Sequence, residues 1–259
     1  SFKLTSEFKI SESYEKEFNK NRLIKLVKLL KELEKSEFSK DIVKHLASLN
    51  VEKGSEILAA RLATQIERFD YAIQISKEAA FKKRFINIYN YPVISTPEEI
   101  KKRRMPSQNL ILAIIRQESE FDSKANSYVG AQGLMQIMPA TGKIVAKKIG
   151  TTYSKRSLKE DPNYNIKLGT FYFNMLLEDY DGVYPFAIAA YNAGPNRVKS
   201  WIKRYGDPNK KDISFIDWIE LIRFSETRNY VQRVIENINV YKFVLNNNKP
   251  IQIDSFFKE

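Results

Sequence analysis

Glu118 is an acid in a place where an apolar residue belongs. The run Asn109-Leu-Ile-Leu-Ala-Ile-Ile-Arg-Gln-Glu118 carries Ile111, Ile114 and Ile115 at i, i+3 and i+4, the spacing that lines one face of an α-helix. Glu118 falls at i+7 from Ile111, and Phe121 extends the same stripe. A carboxyl on a core-facing stripe is poorly solvated, which disfavours its ionised form and raises its pKa. A glutamate so placed can act as a general acid at neutral pH. The competing reading is a stripe that simply ends in a Glu turned to solvent or paired with a base. Two more acids lie close by. Asp122, at i+4 from Glu118, either faces the same cleft or is a solvent-facing residue at the helix end, and Glu120 sits between the two.

Other chemistries are poorly supplied. The chain has no cysteine, which excludes disulfides and thiolate metal sites. Its one histidine, His45, would have to carry any zinc site or Ser–His nucleophile alone. No run approaches the ~18–20 apolar residues of a membrane span. The net charge of +12 is spread along the chain, with 18 Lys/Arg against 13 Asp/Glu in residues 1–95 and 25 against 18 in residues 96–259. Diffuse basicity suits a polyanionic partner: nucleic acid, anionic lipid or a wall polymer carrying peptide carboxylates. It equally serves solubility. Nucleic-acid binding predicts aromatics interleaved with Lys/Arg on one face, and no such stripe is concentrated here.

The elements that must position Glu118 are helical. Residues 1–95 read as helix upon helix, with stripes at Leu23/Leu26/Val27/Leu30/Leu33, Ile42/Val43/Leu46/Leu49, Leu58/Leu62/Ile66 and Ala72/Ile75/Ala79/Ala80. Short polar connections suggest antiparallel hairpins stacked like a solenoid. Three prolines between residues 90 and 107 mark a domain boundary. The expected division is residues 1–95 and residues 96–259. Thr96-Pro97-Glu98-Glu99 has the form of a helix start, and Lys101-Lys-Arg-Arg104 reads as the solvated face of a short linker helix. Residues 124–142 are rich in Gly, Gln and Met, and predict turns with a small β element. Helices are expected from Asp161-Pro162, from Pro185 to Tyr191, over about 195–204, 214–223 and 226–246. The final Ser255-Phe-Phe-Lys-Glu259 has little to hold it.

Four patterns follow in order: Glu118-Ser119, Gly130-Ala-Gln-Gly-Leu-Met-Gln-Ile-Met-Pro139, Ala189-Ala-Tyr-Asn-Ala-Gly-Pro195 and Phe224-Ser-Glu-Thr-Arg-Asn-Tyr-Val231. Each is weak alone; together they are specific. Over roughly residues 96–245 the chain resembles the soluble lytic transglycosylases, lysozyme-like enzymes of glycoside hydrolase family twenty-three. The resemblance implies a mainly α fold: a lysozyme-like α+β catalytic domain, mostly helical with a small β element, preceded by an α-helical superhelical segment. It implies cleavage of the β-1,4 bond between N-acetylmuramic acid and N-acetylglucosamine in peptidoglycan. The muramic acid 6-hydroxyl attacks in place of water and leaves a 1,6-anhydro end, and Glu118 takes the role of the family's single acid/base. Most glycosidases use a second carboxylate, with substrate-assisted enzymes the exception.

The other positions carry over one by one. Ser119 would hydrogen-bond the acetamido group or its surroundings. Gly133 permits close backbone approach, Leu134 belongs to the same motif, Met135 would offer an apolar face to a sugar, and Gln136 would donate and accept toward sugar amides. Tyr191 and Asn192 match the Tyr-Asn motif, with the Tyr191 phenol expected to orient the Glu118 carboxyl. Glu226 would support the cleft or meet the stem peptide; as a first-turn acid it also suits the helix dipole. The family often has Ile-Pro-Phe before the Glu-Thr pair, and here Arg223 stands where that proline would be. Tyr128, Tyr184 and Trp201 are aromatics able to stack on sugars.

The resemblance implies no metal and no organic cofactor. Its partner is the peptidoglycan glycan strand, with electrostatic association with the cell wall and no nucleic acid. It implies a periplasmic location with a signal peptide removed, since the chain opens on Ser-Phe-Lys without an initiator Met. The alternatives are a lysozyme-type hydrolase on the same fold, which an Asp122 aimed at the sugar would favour, and a catalytically silent glycan-binding scaffold, against which Glu118 argues.

Overall fold

The computed structural model describes residues 9–97 and 105–247. The expected helix start at residues 96–99 passes out of the described residues after Pro97, and the basic run 101–104 and the tail 255–259 lie outside them. The chain forms two compact units. The first takes the described residues up to Val93 together with Glu120–Asp122, and the second takes those from Ile94 to Ser119 and from Ser123 onward.

The first unit is helical. It holds α1 (Glu12–Asn19), α2 (Arg22–Glu32), α3 (Lys40–Ser48), α4 (Ser55–Gln65) and α5 (Phe69–Phe81). Polar caps start its first helices: Ser11 accepts from the Tyr14 N–H, and Asn21 accepts from the Leu23 N–H. Helix α4 packs against both α3 and α5, and the core gathers Val27, Val43, Leu46, Leu58, Leu62, Ile66, Ala72, Ile75 and Ala79. The stripe expected on α2 is rotated. Ile24 and Val27 are buried, while Leu26, Leu29 and Leu33 are exposed. A stripe read at i, i+3 and i+7 fitted two faces of this leucine-rich helix, and packing against the core selected the other one.

Each of residues 120–122 makes contact with this unit. Phe121 meets Phe69 edge-on at 6.3 Å, Glu120 accepts from Lys77 at 2.5 Å, and Asp122 lies 3.7 Å from Arg68. Arg68 also forms a two-pronged pair with Asp70, at 2.8 and 2.5 Å, and stacks over the Tyr71 ring at 3.9 Å. Burial pushes the Asp70 carboxyl above its ordinary range, and Arg68 offsets part of that rise.

The second unit is built around α6 (Gln108–Glu118). Every residue from Asn109 to Arg116 on α6 is buried, so the helix is covered on all sides rather than on the one face the isoleucine stripe suggested. Around it stand α7 (Pro139–Lys148), α8 (Lys155–Glu160), α9 (Pro162–Asp179), α10 (Tyr184–Ala193), α11 (Pro195–Tyr205), α12 (Phe215–Glu220) and α13 (Ser225–Leu245). Helix α13 runs against α6 and α10. Asp161 caps α9 as expected, accepting from the N–H groups of Asn163 and Tyr164. Helices α7 and α8 lie where the sequence showed no clear stripe. The small β element of residues 124–138 is two antiparallel bridges, Asn126 with Gln132 and Gln132 with Ile137.

Arg68→Ala should destabilise the first unit by about 3 kcal/mol at pH 7, because Asp70 would be left buried and unpaired. The loss should shrink as pH falls and Asp70 takes up a proton. Urea midpoints at pH 7 and pH 4 check this.

Candidate active site

Helix α6 ends at Glu118, and the Ser119 N–H closes its last turn on the Ile115 carbonyl. Beyond it the chain leaves the helix, with Glu120 and Phe121 at positive φ. The i+4 spacing of Asp122 therefore does not place it beside Glu118. Phe121 is buried, but as a loop residue of the first unit and not as the end of a helical stripe.

Glu118 is only partly accessible to solvent, and its carboxyl pKa is raised to about 7. Burial is the main cause, and the negative charge of Glu226 adds to it. The C-terminal end of a helix, where the backbone dipole is negative, acts in the same direction. One contact opposes the rise: the Tyr230 hydroxyl donates to Glu118 Oε1 at 2.6 Å.

That contact corrects one expectation. The phenol on Glu118 belongs to Tyr230 of the fourth motif, and not to Tyr191. Tyr191 donates instead to the Met135 carbonyl at 2.7 Å, with its ring against Tyr172 and Phe173. Burial and the charge of Glu118 push the Tyr191 hydroxyl well above its ordinary range, so it remains a neutral donor. The only advance signal for Tyr230 was its place inside the fourth motif.

The four motifs are joined in a ring of hydrogen bonds. Ser119 Oγ donates to the Leu134 carbonyl at 2.8 Å, linking the first motif to the second. Tyr191 on Met135 links the second to the third. Thr227 Oγ1 donates to Asn192 Oδ1 at 2.6 Å, linking the third to the fourth. Tyr230 on Glu118 closes the ring. Ser119 and Asn192 thus bond within the protein.

The Gly133–Gln136 turn is held from behind by Asn165, which no motif reading singled out. Asn165 is 1% exposed. Its Oδ1 accepts from the Met135 N–H at 2.8 Å, and its Nδ2 donates to the carbonyls of Gln132 and Leu158 at 2.8 and 2.9 Å. Gly133 is at φ +73, and a Cβ there would stand 2.3 Å from Asn165 Nδ2. The glycine admits Asn165, in addition to any approach by a ligand. A polar residue among buried Ile166, Leu168 and Gly169 was the available signal.

Met135 requires a second correction. Its side chain is fully buried and packs against Gly169, where a Cβ would meet its sulfur at 2.5 Å. It offers no face to a sugar. Leu134 is buried too, and both residues act in the site through their carbonyls. Gln136, at φ +46, turns its amide inward to the carbonyls of Gly133 and Ala125, at 2.8 and 3.2 Å. Glu226 is exposed in the first turn of α13. The turn before it forms without proline: Phe224 packs edge-on against Trp201 at 5.6 Å, and Arg228 donates to the Ile222 carbonyl at 3.1 Å. Tyr184 and Trp201 are core residues, and Tyr128 is fully exposed. Among the described residues, no group of three or more His, Asp or Glu is gathered as for a metal.

Comparison with known proteins agrees with this geometry. The family model described as "Transglycosylase SLT domain" matches residues 95–214. The soluble lytic murein transglycosylase of Escherichia coli (strain K12) is 38% identical over 139 residues, which is 53% of this chain and 21% of that protein. The chain thus spans about a fifth of the length of that curated relative. The 70 kDa soluble lytic transglycosylase SLT70 from Escherichia coli superposes with a TM-score of 0.76 at 25% identity, over 95% of this chain and 39% of that one. The lytic transglycosylase Slt from Pseudomonas aeruginosa, in a mutant described as inactive, gives 0.75 at 30% identity, over 100% of this chain and 42% of that one. The fold here is mainly α, like those neighbours.

Two outcomes are expected. Asn165→Ala, which removes three hydrogen bonds around the Gly133–Gln136 turn, including the one Asn165 accepts from the buried Met135 N–H, should cost about 3 kcal/mol in chemical denaturation. Glu118→Gln should raise stability in a pH-dependent way. The folded pKa of about 7 lies above the unfolded value near 4.5, so the folded state holds the proton more tightly and the wild type loses stability as pH rises between them. Melting temperatures should nearly coincide at pH 4.5. At pH 8 the variant should be ahead by about 3 kcal/mol.

Proposed function

We propose that this chain is a lytic transglycosylase that cleaves the β-1,4 bond between N-acetylmuramic acid and N-acetylglucosamine of peptidoglycan, with Glu118 as its single general acid/base. The observation that carries the reading is the pKa of about 7 at Glu118, in a carboxyl positioned by Tyr230. At neutral pH such a group exists in both forms, and the reaction uses each in turn. Protonated Glu118 gives its proton to the glycosidic oxygen as the bond to the muramic anomeric carbon breaks, and the N-acetylglucosamine leaves with a free 4-hydroxyl. The 2-acetamido group of the muramic residue stabilises the cationic centre. The Glu118 carboxylate then takes the proton of the 6-hydroxyl as that oxygen bonds to the anomeric carbon. The proton count returns to its start, and no water is consumed. An internal nucleophile benefits from high effective molarity.

The nearby acids favour this reading over hydrolysis. Asp122 faces Arg68 and Glu120 faces Lys77, so neither is presented as a water-activating base beside Glu118. The inactive Pseudomonas mutant carries glutamine in place of a glutamate, which supports an essential glutamate in that protein and, by likeness, in this one. Ser119, Gly133, Leu134, Gln136, Tyr191, Asn192 and Glu226 are proposed as the wall and support of the sugar site. The substrate places the protein's work outside the cytoplasmic membrane, in the periplasm, where its net charge of +12 favours a wall rich in carboxylates.

Incubation with purified peptidoglycan should release muropeptides one water lighter than reducing-end products and resistant to borohydride, as read by mass spectrometry. The rate should fall as pH rises above about 7, and Glu118→Gln should abolish it. Reducing-end products would make the protein a hydrolase, and full activity in the Gln variant would remove Glu118 from the reaction.

A further inference from the structure

Tyr128 occupies a turn corner where folding has no use for it. Residues 125–133 double back on themselves. The Gly133 N–H donates to the Ala125 carbonyl at 2.9 Å, Asn126 bridges to Gln132, and the Ser127 N–H donates to the Ala131 carbonyl at 2.9 Å. The Gly130 N–H closes the turn on the Ser127 carbonyl at 2.9 Å, and Ser127 Oγ accepts from the Ala131 N–H at 2.9 Å. Ser at the first position and Gly at the fourth are the residues such a turn needs. The two corners normally take Pro, Asn, Asp, Gly or Ser. Here they are Tyr128, 101% exposed, and Val129, 58% exposed. Neither shapes the turn, and neither is buried.

The placement is informative. This hairpin leads directly into the turn whose Leu134 and Met135 carbonyls receive Ser119 and Tyr191 beside Glu118. Tyr128 lies three positions beyond Ala125 at the base, so its backbone stands roughly 10 Å out along the element. Bonds at both ends of the hairpin hold it there. A tyrosine ring gives a rigid, amphipathic face at low entropic cost, suited to the apolar C–H face of a β-linked pyranose. Tyr184 and Trp201, the other candidates for such contact, are closed into the core.

We propose that Tyr128, with Val129 beside it, is a stacking platform for a sugar ring of the glycan strand beyond the two residues that flank the cleaved bond. The inference rests on the transglycosylase reading and adds to it a preference for long strands. Its full exposure means that Tyr128→Ala leaves the packing of the fold untouched.

The test measures KM and kcat on glycan strands of graded length. In the wild type KM should fall as strands lengthen. In Tyr128→Ala that benefit should be lost, with KM on long strands raised roughly 3- to 10-fold and the penalty growing with length. Tyr128→Trp should restore the wild-type dependence, which a mere hydroxyl contact would not allow. Equal KM for Tyr128→Ala and wild type on long strands would overturn the platform. Calorimetric binding of long strands to Glu118→Gln, with and without Tyr128→Ala, separates the two readings. Weaker binding in the double variant supports the platform even if the wild type makes no anhydro product, and equal binding refutes it even if the wild type does.

Discussion

Keeping the Glu118 carboxyl out of water costs the folded protein stability whenever that group is ionised, and the second unit is arranged to sustain the cost. Helix α6 is buried along its length, so its last residue emerges where little water can reach it. Burial alone would leave the side chain free to swing toward solvent. The Tyr230 hydroxyl holds one of its oxygens in place. A phenol suits that task. Its own ionisation is pushed far upward by burial and by the adjacent negative charge, so it stays a donor across the useful pH range.

The ring of hydrogen bonds through Ser119, Leu134, Met135, Tyr191, Asn192, Thr227, Tyr230 and Glu118 makes the four motifs one object. None of its links is strong alone, since an intramolecular hydrogen bond contributes on the order of 1 kcal/mol net. Their value lies in geometry. Each link fixes the separation of two chain segments, and the closed circuit removes relative motion that a single link would permit. Asn165 does the same for the Gly133–Gln136 turn from the other side. The site is held mostly by backbone carbonyls and hydroxyls, so one donor lost at any point loosens segments far away in sequence.

Much of this was legible in the sequence and some was not. Spacing and caps gave the helical character, the start of α9 and the long last helix, because periodicity and N-caps are local signals. The rotated face of α2 was not legible: a helix with leucines on most sides can be buried on any of them, and only its neighbours decide. Phe121 was read into the α6 stripe for a similar reason, since it is apolar and correctly spaced yet buried in the other unit. In the site, motif order picked out four segments that hydrogen bonds join in the structure. Individual roles were harder. Met135 was read as a surface because methionine is adaptable, while the gap beside Gly169 that takes its side chain is a tertiary fact. Tyr191 and Tyr230 are both motif tyrosines, and composition cannot say which phenol reaches a carboxyl 112 positions from one of them.

That separation has a temporal meaning. The bond between Tyr230 and Glu118 closes a loop of more than a hundred residues, and such contacts form late because the chain must surrender much freedom before they return anything. Glu118 lies near the start of its unit, and α13 comes last. A chain that has made α6 but not yet docked α13 has its acid without the phenol that aims it. In the proposed reaction, competence therefore arrives with completion, because the acid is aimed only once the last helix has docked.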